Sequence, residues 1–159
     1  MSNFKKRILL LLLTFLGCSS PTKLPPIFNA KVVTVIDGDT VDVSFNDKSY
    51  RIRLADIDCP ENDQPFGDEA TEFVSNECLS DSVTIETDGE WDPYGRLIAT
   101  IFVHDTVNIN LELVKRGLAW HYKQYSDKQD FSDAEDEARN KHVMLWSDSN
   151  AIAPWDWRH

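Results

Sequence analysis

Between Val32 and Phe45 two runs rich in β-branched residues meet at Asp37-Gly38, in the stretch VIDGDTVDVSF. An Asp-Gly pair between apolar runs is a strong short-range signal for a hairpin, because glycine tolerates the backbone a tight reversal needs. It commits the chain to an antiparallel β start, with strands over 32–36 and 40–45. Asn46-Asp47 makes a second turn before a third strand over 49–55. Alternation puts Tyr50, Ile52 and Leu54 on one face of that strand and Arg51 and Arg53 on the other. The segment that follows, DIDCPENDQPFG, has the composition of a loop.

Apolar residues then recur at helical spacing, at Ala70, Phe73, Val74 and Cys78, predicting a helix over 68–79. Two more strands, 83–87 and 96–103, are joined by TDGEWDPYG. A second helix is expected over 107–116, with Gly117 where a C-cap belongs. Ser132 and Glu135 read as a capping box opening a last helix that runs towards Trp146, itself a core residue. Three strands, a helix, two strands and two helices make an α+β domain. With so few strands, closing them into a barrel is the economical way to leave no edge unpaired. The five-stranded version is the OB-fold, here with three α-helices. A chain of 159 residues is long enough for one such domain and its core.

The first 20 residues are expected to stand apart as a signal peptide. Lys5, Lys6 and Arg7 precede an apolar run from Ile8 to Leu16, too short to span a bilayer, and Gly17-Cys18 ends it. Cysteine in that place resembles a bacterial lipoprotein signal, which implies lipid on Cys18 and a membrane tether. Cleavage near Ser20 and an uncleaved anchor are the other fates. Export follows either way, to the cell envelope, the periplasm or the medium. Residues 21–28, with three prolines in and around them, read as a tether; 29–149 is the domain and 150–159 a C-terminal tail. Cys59, on a polar loop, and Cys78, on a helical stripe, could pair in an oxidising compartment, but a buried free thiol at Cys78 fits its place better.

Asp39 sits where the hairpin enters its second strand, and Asp56 and Asp58 lie just past the third. Adjacent strands are about 5 Å apart, so carboxylates from the two could converge on a hard cation such as calcium or magnesium. Taken by themselves, these acids fit solvated turns better than an ion site. Arg53 alone would read as a surface cation, Glu61 as the opening of a loop and Asp92-Pro93-Tyr94-Gly95 as a turn. The four histidines, His104, His121, His142 and His159, have no zinc-like spacing.

Together, these segments form a register. V-I-D-G-D-T-V at 35–41, R-x-x-x-x-D-x-P-E at 53–61, D-x-Y-G-R at 92–96, L-V-x-x-G-L-A at 113–119 and L-W-S at 145–147 occur in one order. In that order the chain resembles the staphylococcal nuclease family, over essentially 31–148. The resemblance implies a calcium-dependent nuclease that cleaves phosphodiester bonds of DNA and RNA to leave 3′-phosphate ends, working as a monomer. It implies Asp39, Asp58 and the backbone carbonyl of Cys59 as calcium ligands, with Asp37 behind them. Arg53 and Arg96 would grip the scissile phosphate, and Glu61 would act on the attacking water. Tyr94 would contact a substrate phosphate. Tyr122, with Trp120 nearby, would stack on a base.

One observation pulls the other way. The formal net charge is −11, and three of the 16 basic residues but none of the 27 acids lie in the first 20 positions. Phosphate binding is largely lysine and arginine work, so the acidity favours a rival: a catalytically weak or inactive OB-fold module that binds nucleic acid or protein. Retention of Arg53, Glu61 and Arg96 together favours the enzyme. Exposed charges more than about 8 Å away are largely screened at physiological salt, so a local cationic pocket can act within an acidic protein.

Overall fold

In a computed structural model, residues 24–159 are described. The expected signal peptide, the expected lipidation site at Cys18 and the start of the expected tether lie outside them. Strand β1 (Ile27–Asp37) pairs antiparallel with β2 (Thr40–Phe45), and β2 with β3 (Lys48–Leu54). A two-residue strand β4 (Ile57–Asp58) leads through a loop to helix α1 (Gly67–Cys78). Strands β5 (Ser82–Glu86) and β6 (Leu97–Val103) follow, then β7 (Val107–Asn108) and helix α2 (Ile109–Lys115). Strand β8 (Trp120–His121), helix α3 (Gln129–Asn140), a 3₁₀ turn (Met144–Ser147) and the short α4 (Pro154–Trp157) complete the chain. No described helix is long and apolar enough to cross a membrane.

The sheet runs β3-β2-β1-β5-β6-β7, and a parallel pairing of β3 with β6 closes it into a five-stranded barrel. Closure is possible because inward positions are apolar on every strand: Val32, Val41, Val43, Ile52, Leu54, Val83, Ile85, Leu97 and Ile101 are buried. On β2, β3 and β5 the residues that alternate with them, among them Asp42, Arg51 and Thr84, are polar. Asn110 ties α2 to the seam: its amide donates to Ala55 and Ala99 carbonyls and its oxygen accepts from Ile101 N–H. The α+β, OB-fold architecture expected from the sequence is thus present.

Several local expectations are corrected. Strand β1 begins at Ile27, inside the segment read as tether, because its start pairs with β5 down to Ile27↔Glu86. The reversal falls on Gly38-Asp39, one residue later than expected, and Gly38 has an ordinary negative-φ backbone. What requires glycine there is space: a Cβ would stand 2.7 Å from Ala70 Cβ and 3.0 Å from Cys59 Sγ. Helix α2 starts at Ile109, not Val107, since Val107 pairs with Val103 and Asn108 caps the helix through Leu111 N–H. Ser132 and Glu135 are no capping box, because α3 begins at Gln129 and places both inside it. There the Ser132 hydroxyl meets His121 Nδ1 at 3.1 Å, and buried Glu135 is paired with Lys123 (2.8 Å) and Arg139 (3.1 Å). The helix stops at Asn140, and Trp146 is in the core, on a 3₁₀ turn.

Candidate active site

The barrel seam positions the first two groups. Arg53 lies opposite Thr40 on β2 and opposite Ile98 on β6, so its guanidinium emerges where the hairpin turn and the start of β6 meet. Arg53 Nη1 is 3.3 Å from Asp39 Oδ2 and its Nη2 donates to Asp58 Oδ1 at 2.8 Å. Both carboxylates are nearly enclosed, Asp39 7% and Asp58 1% exposed. Burial disfavours the Arg53 charge, but Asp39 and Asp58 outweigh it and push its pKa up, so the guanidinium stays charged.

Asp39 is held from three sides. Its backbone N–H donates to Asp37 Oδ1 (3.0 Å), its Oδ2 accepts from Cys59 N–H (2.8 Å) and its Oδ1 from the Thr40 hydroxyl (3.2 Å). Burial first, and the Asp39 charge second, push the Asp37 carboxyl up to about 6. Asp58 comes from β4, whose pairing with β8 sets Asp58 opposite Trp120. Burial pushes its carboxyl up, against a hydrogen bond from Arg158 that pulls it down.

Cys59 departs from the polar loop position expected of it. It is 3% exposed, and its thiol is pushed well above the usual range, mainly by burial. A protonated thiol is no metal ligand, which leaves its carbonyl as the group that could serve. Cys59 and Cys78 are both buried and both free.

Arg96 is carried by the loop before β6. Asp92 holds it: Asp92 Oδ1 accepts from the N–H of Tyr94 (3.0 Å) and of Arg96 (2.8 Å), and Oδ2 from Arg96 Nε (2.6 Å). Burial would raise the Asp92 pKa, but the bonds from Arg96 prevail and hold it low. Arg96 Nη1 then reaches Thr40 Oγ1 at 3.2 Å, the hydroxyl that also bonds Asp39. Tyr94 lies beside it, 85% exposed, with the Arg96 guanidinium 5.6 Å from its ring centre.

Glu61 sits in a loop pinned by Gln64, which accepts from Glu61 N–H at 3.1 Å and returns its own N–H to Glu61 carbonyl at 2.9 Å. Its side chain meets Arg158, whose Nη1 is 2.6 Å from Oε1. Arg158 Nη2 is also 2.8 Å from Asp58 Oδ2. Asp39, Asp58, Glu61, Arg53 and Arg96 therefore gather at one end of the barrel, linked through shared partners. Tyr122 stands at the edge of this group, its ring stacked on Trp155 with centres 5.2 Å apart and planes 4° from parallel. Beside it a cavity of about 300 Å³ is lined by Trp120, Lys123, Glu135, Arg139 and Trp155 among others.

Among the described residues no three His, Cys, Asp or Glu side chains converge as a ready ligand shell. The side-chain oxygens that could face a cation are those of Asp39 and Asp58. They are hard donors on buried carboxylates that already draw cationic partners, a set suited to calcium or magnesium. Three participants escaped sequence reasoning. Asp92 could have been found, as an acid four residues before an arginine in a turn. Trp155 and Arg158 carry no local signal, because what they touch lies far away in sequence.

The family model described as staphylococcal nuclease homologue matches residues 51–148. A micrococcal nuclease of Shigella flexneri is 38% identical over 141 residues, covering 82% of this chain and 80% of the relative. An uncharacterized endonuclease of Escherichia coli is 37% identical over 131 residues, covering 82% and 85%. One from Haemophilus influenzae is 38% identical over 151 residues, covering 94% and 82%. With the barrel, the motif order and these matches in agreement, the chain belongs to the staphylococcal nuclease family.

Proposed function

We propose that this nuclease is a calcium-dependent endonuclease that hydrolyses phosphodiester bonds of DNA and RNA and leaves 3′-phosphate ends. The observation that supports it most is the gathering of Arg53, Arg96 and Glu61 around two buried aspartates. Asp39, Asp58 and the Cys59 carbonyl would hold the ion, and calcium bound there supplies positive charge to the phosphoryl oxygens. Arg53 and Arg96 bind those oxygens through planar forks and stabilise charge as it develops. Glu61 accepts the proton of the attacking water. Asp37 fixes the turn that presents Asp39, and Asp92 fixes the direction of Arg96. Tyr94, exposed beside Arg96, reaches a substrate phosphate, while Tyr122 offers a face for a base. The protein acts as an exported monomer, tethered to the envelope through lipid on Cys18.

The test is digestion of denatured DNA by the full-length protein with calcium, then with a chelator, then with calcium restored. Cleavage should stop and resume; activity indifferent to chelation would overturn the metal reading. Glu61→Gln retaining the full rate would remove Glu61 from its role. Products that a polymerase extends only after phosphatase treatment carry 3′-phosphates, whereas direct extension would refute that end assignment.

A further inference from the structure

The C-terminal segment is packed onto the site at four points. Gln64, which pins the Glu61 loop, donates to Ile152 carbonyl at 2.7 Å. Trp157 Nε1 donates to Asp63 Oδ1 at 3.2 Å, in that same loop. Trp155 lies flat on Tyr122 and edge-on to Trp120. Arg158 completes the set, with its fork spread across Glu61 and Asp58.

These contacts occupy the working surfaces. Asp58 Oδ1 accepts from Arg53 and Oδ2 from Arg158, so each oxygen already carries a guanidinium with which a cation would have to compete. Glu61 Oε1 is tied to the same guanidinium. The Tyr122 face that would receive a base receives the indole of Trp155. A guanidinium shared by two carboxylates is a strong, charge-assisted arrangement; burial works against the Arg158 charge, but the two carboxylates outweigh it and push its pKa further up. The Arg158 side chain is nevertheless 41% exposed, and α4 is a single turn, so the segment can leave without opening the barrel.

We propose that residues 151–158 form an intramolecular strap in which Arg158 stands in for the metal on Asp58 and ties up Glu61, while Trp155 stands in for a base on Tyr122. This rests on the metal and substrate assignments made above. Strap and calcium compete for the Asp58 oxygens, and strap and substrate compete for Tyr122. Calcium affinity is then reduced by the fraction of time the strap is open. The strap sets the calcium concentration at which the enzyme switches on.

Calorimetric titration of the full-length chain in mild detergent with calcium chloride tests this, comparing wild type with Arg158→Gln and Trp155→Ala. Both variants should bind calcium about tenfold tighter if the strap is closed roughly nine-tenths of the time. Trp155→Ala changes no charge, so tightening by Arg158→Gln alone would reduce the effect to local electrostatics and overturn the strap. Hydrogen exchange on the wild type provides a readout that needs no variant to fold. The amides of Asp156, Trp157 and Arg158 should exchange faster when calcium is added. Calcium binding with their exchange unchanged would refute the strap and leave the metal site standing; no calcium binding to any of the three proteins would refute both.

Discussion

Arg96 owes its direction to one carboxylate. With Asp92 gripping its Nε and its backbone N–H, Nη1 is left to point across to Thr40. Two variants separate the group that acts from the group that aims. Arg96→Ala should lower kcat on the order of 10³-fold, as loss of a charge-stabilising arginine does in other phosphoryl transfers. Asp92→Ala should cost roughly 10- to 100-fold, because the guanidinium survives without its brace. Steady-state kinetics on denatured DNA would measure both, with melting temperatures alongside. Equal losses in the two variants would mean that Asp92 does more than aim. The sequence made Arg96 conspicuous through D-x-Y-G-R, yet showed Asp92 only as a turn residue, because a side chain that folds back on its own loop leaves no spacing signature distinct from a turn.

The loop between β4 and α1 shows how elements hold the site. Gly67 opens α1 where a Cβ would lie 2.0 Å from the Glu61 carbonyl oxygen and 2.8 Å from its carbon. Nothing flexible can yield there, since both atoms are backbone. Gly67→Ala should therefore displace the Glu61 loop, and a shift of about 1 Å can cost on the order of 10²-fold in rate. Activity measured well below the melting temperature would isolate that effect; a variant with wild-type rate would show that the loop tolerates movement. The strands and the α1 stripe were legible because alternation and helical spacing report burial directly. The Gly38 turn slipped by one residue because glycine is needed there for close packing against Ala70 and Cys59, which no local pattern reveals. The Ser132-Glu135 box misled because tertiary partners, His121 on one side and Lys123 with Arg139 on the other, claimed both side chains for the middle of a helix.

Across the whole molecule, one buried histidine places a pH limit on stability. His121 is 2% exposed, between Ser126 (2.9 Å) and Ser132 (3.1 Å). Burial first, then Lys123, lowers its pKa below the ordinary 6.5, while Glu135, Asp56 and Asp130 oppose the shift. In the unfolded chain it takes up a proton near 6.5, before the folded protein does. The stability it contributes is full above that pH and is lost as pH falls through the window down to its lowered folded value. The melting temperature should drop as pH falls below about 6.5, and His121→Gln should flatten that part of the curve. A histidine variant with an unchanged pH profile would place the sensitivity in other groups.

The parallel β3–β6 pairing has a consequence for when the molecule becomes active. It joins residues more than forty positions apart in sequence, Ile52 with Leu97, and pairings of such long range tend to form late in folding. Arg53 and Arg96 stand on opposite lips of that join. Until it zips shut, a newly made chain holds these two arginines apart, and on the proposed mechanism it would be harmless to nucleic acid around it.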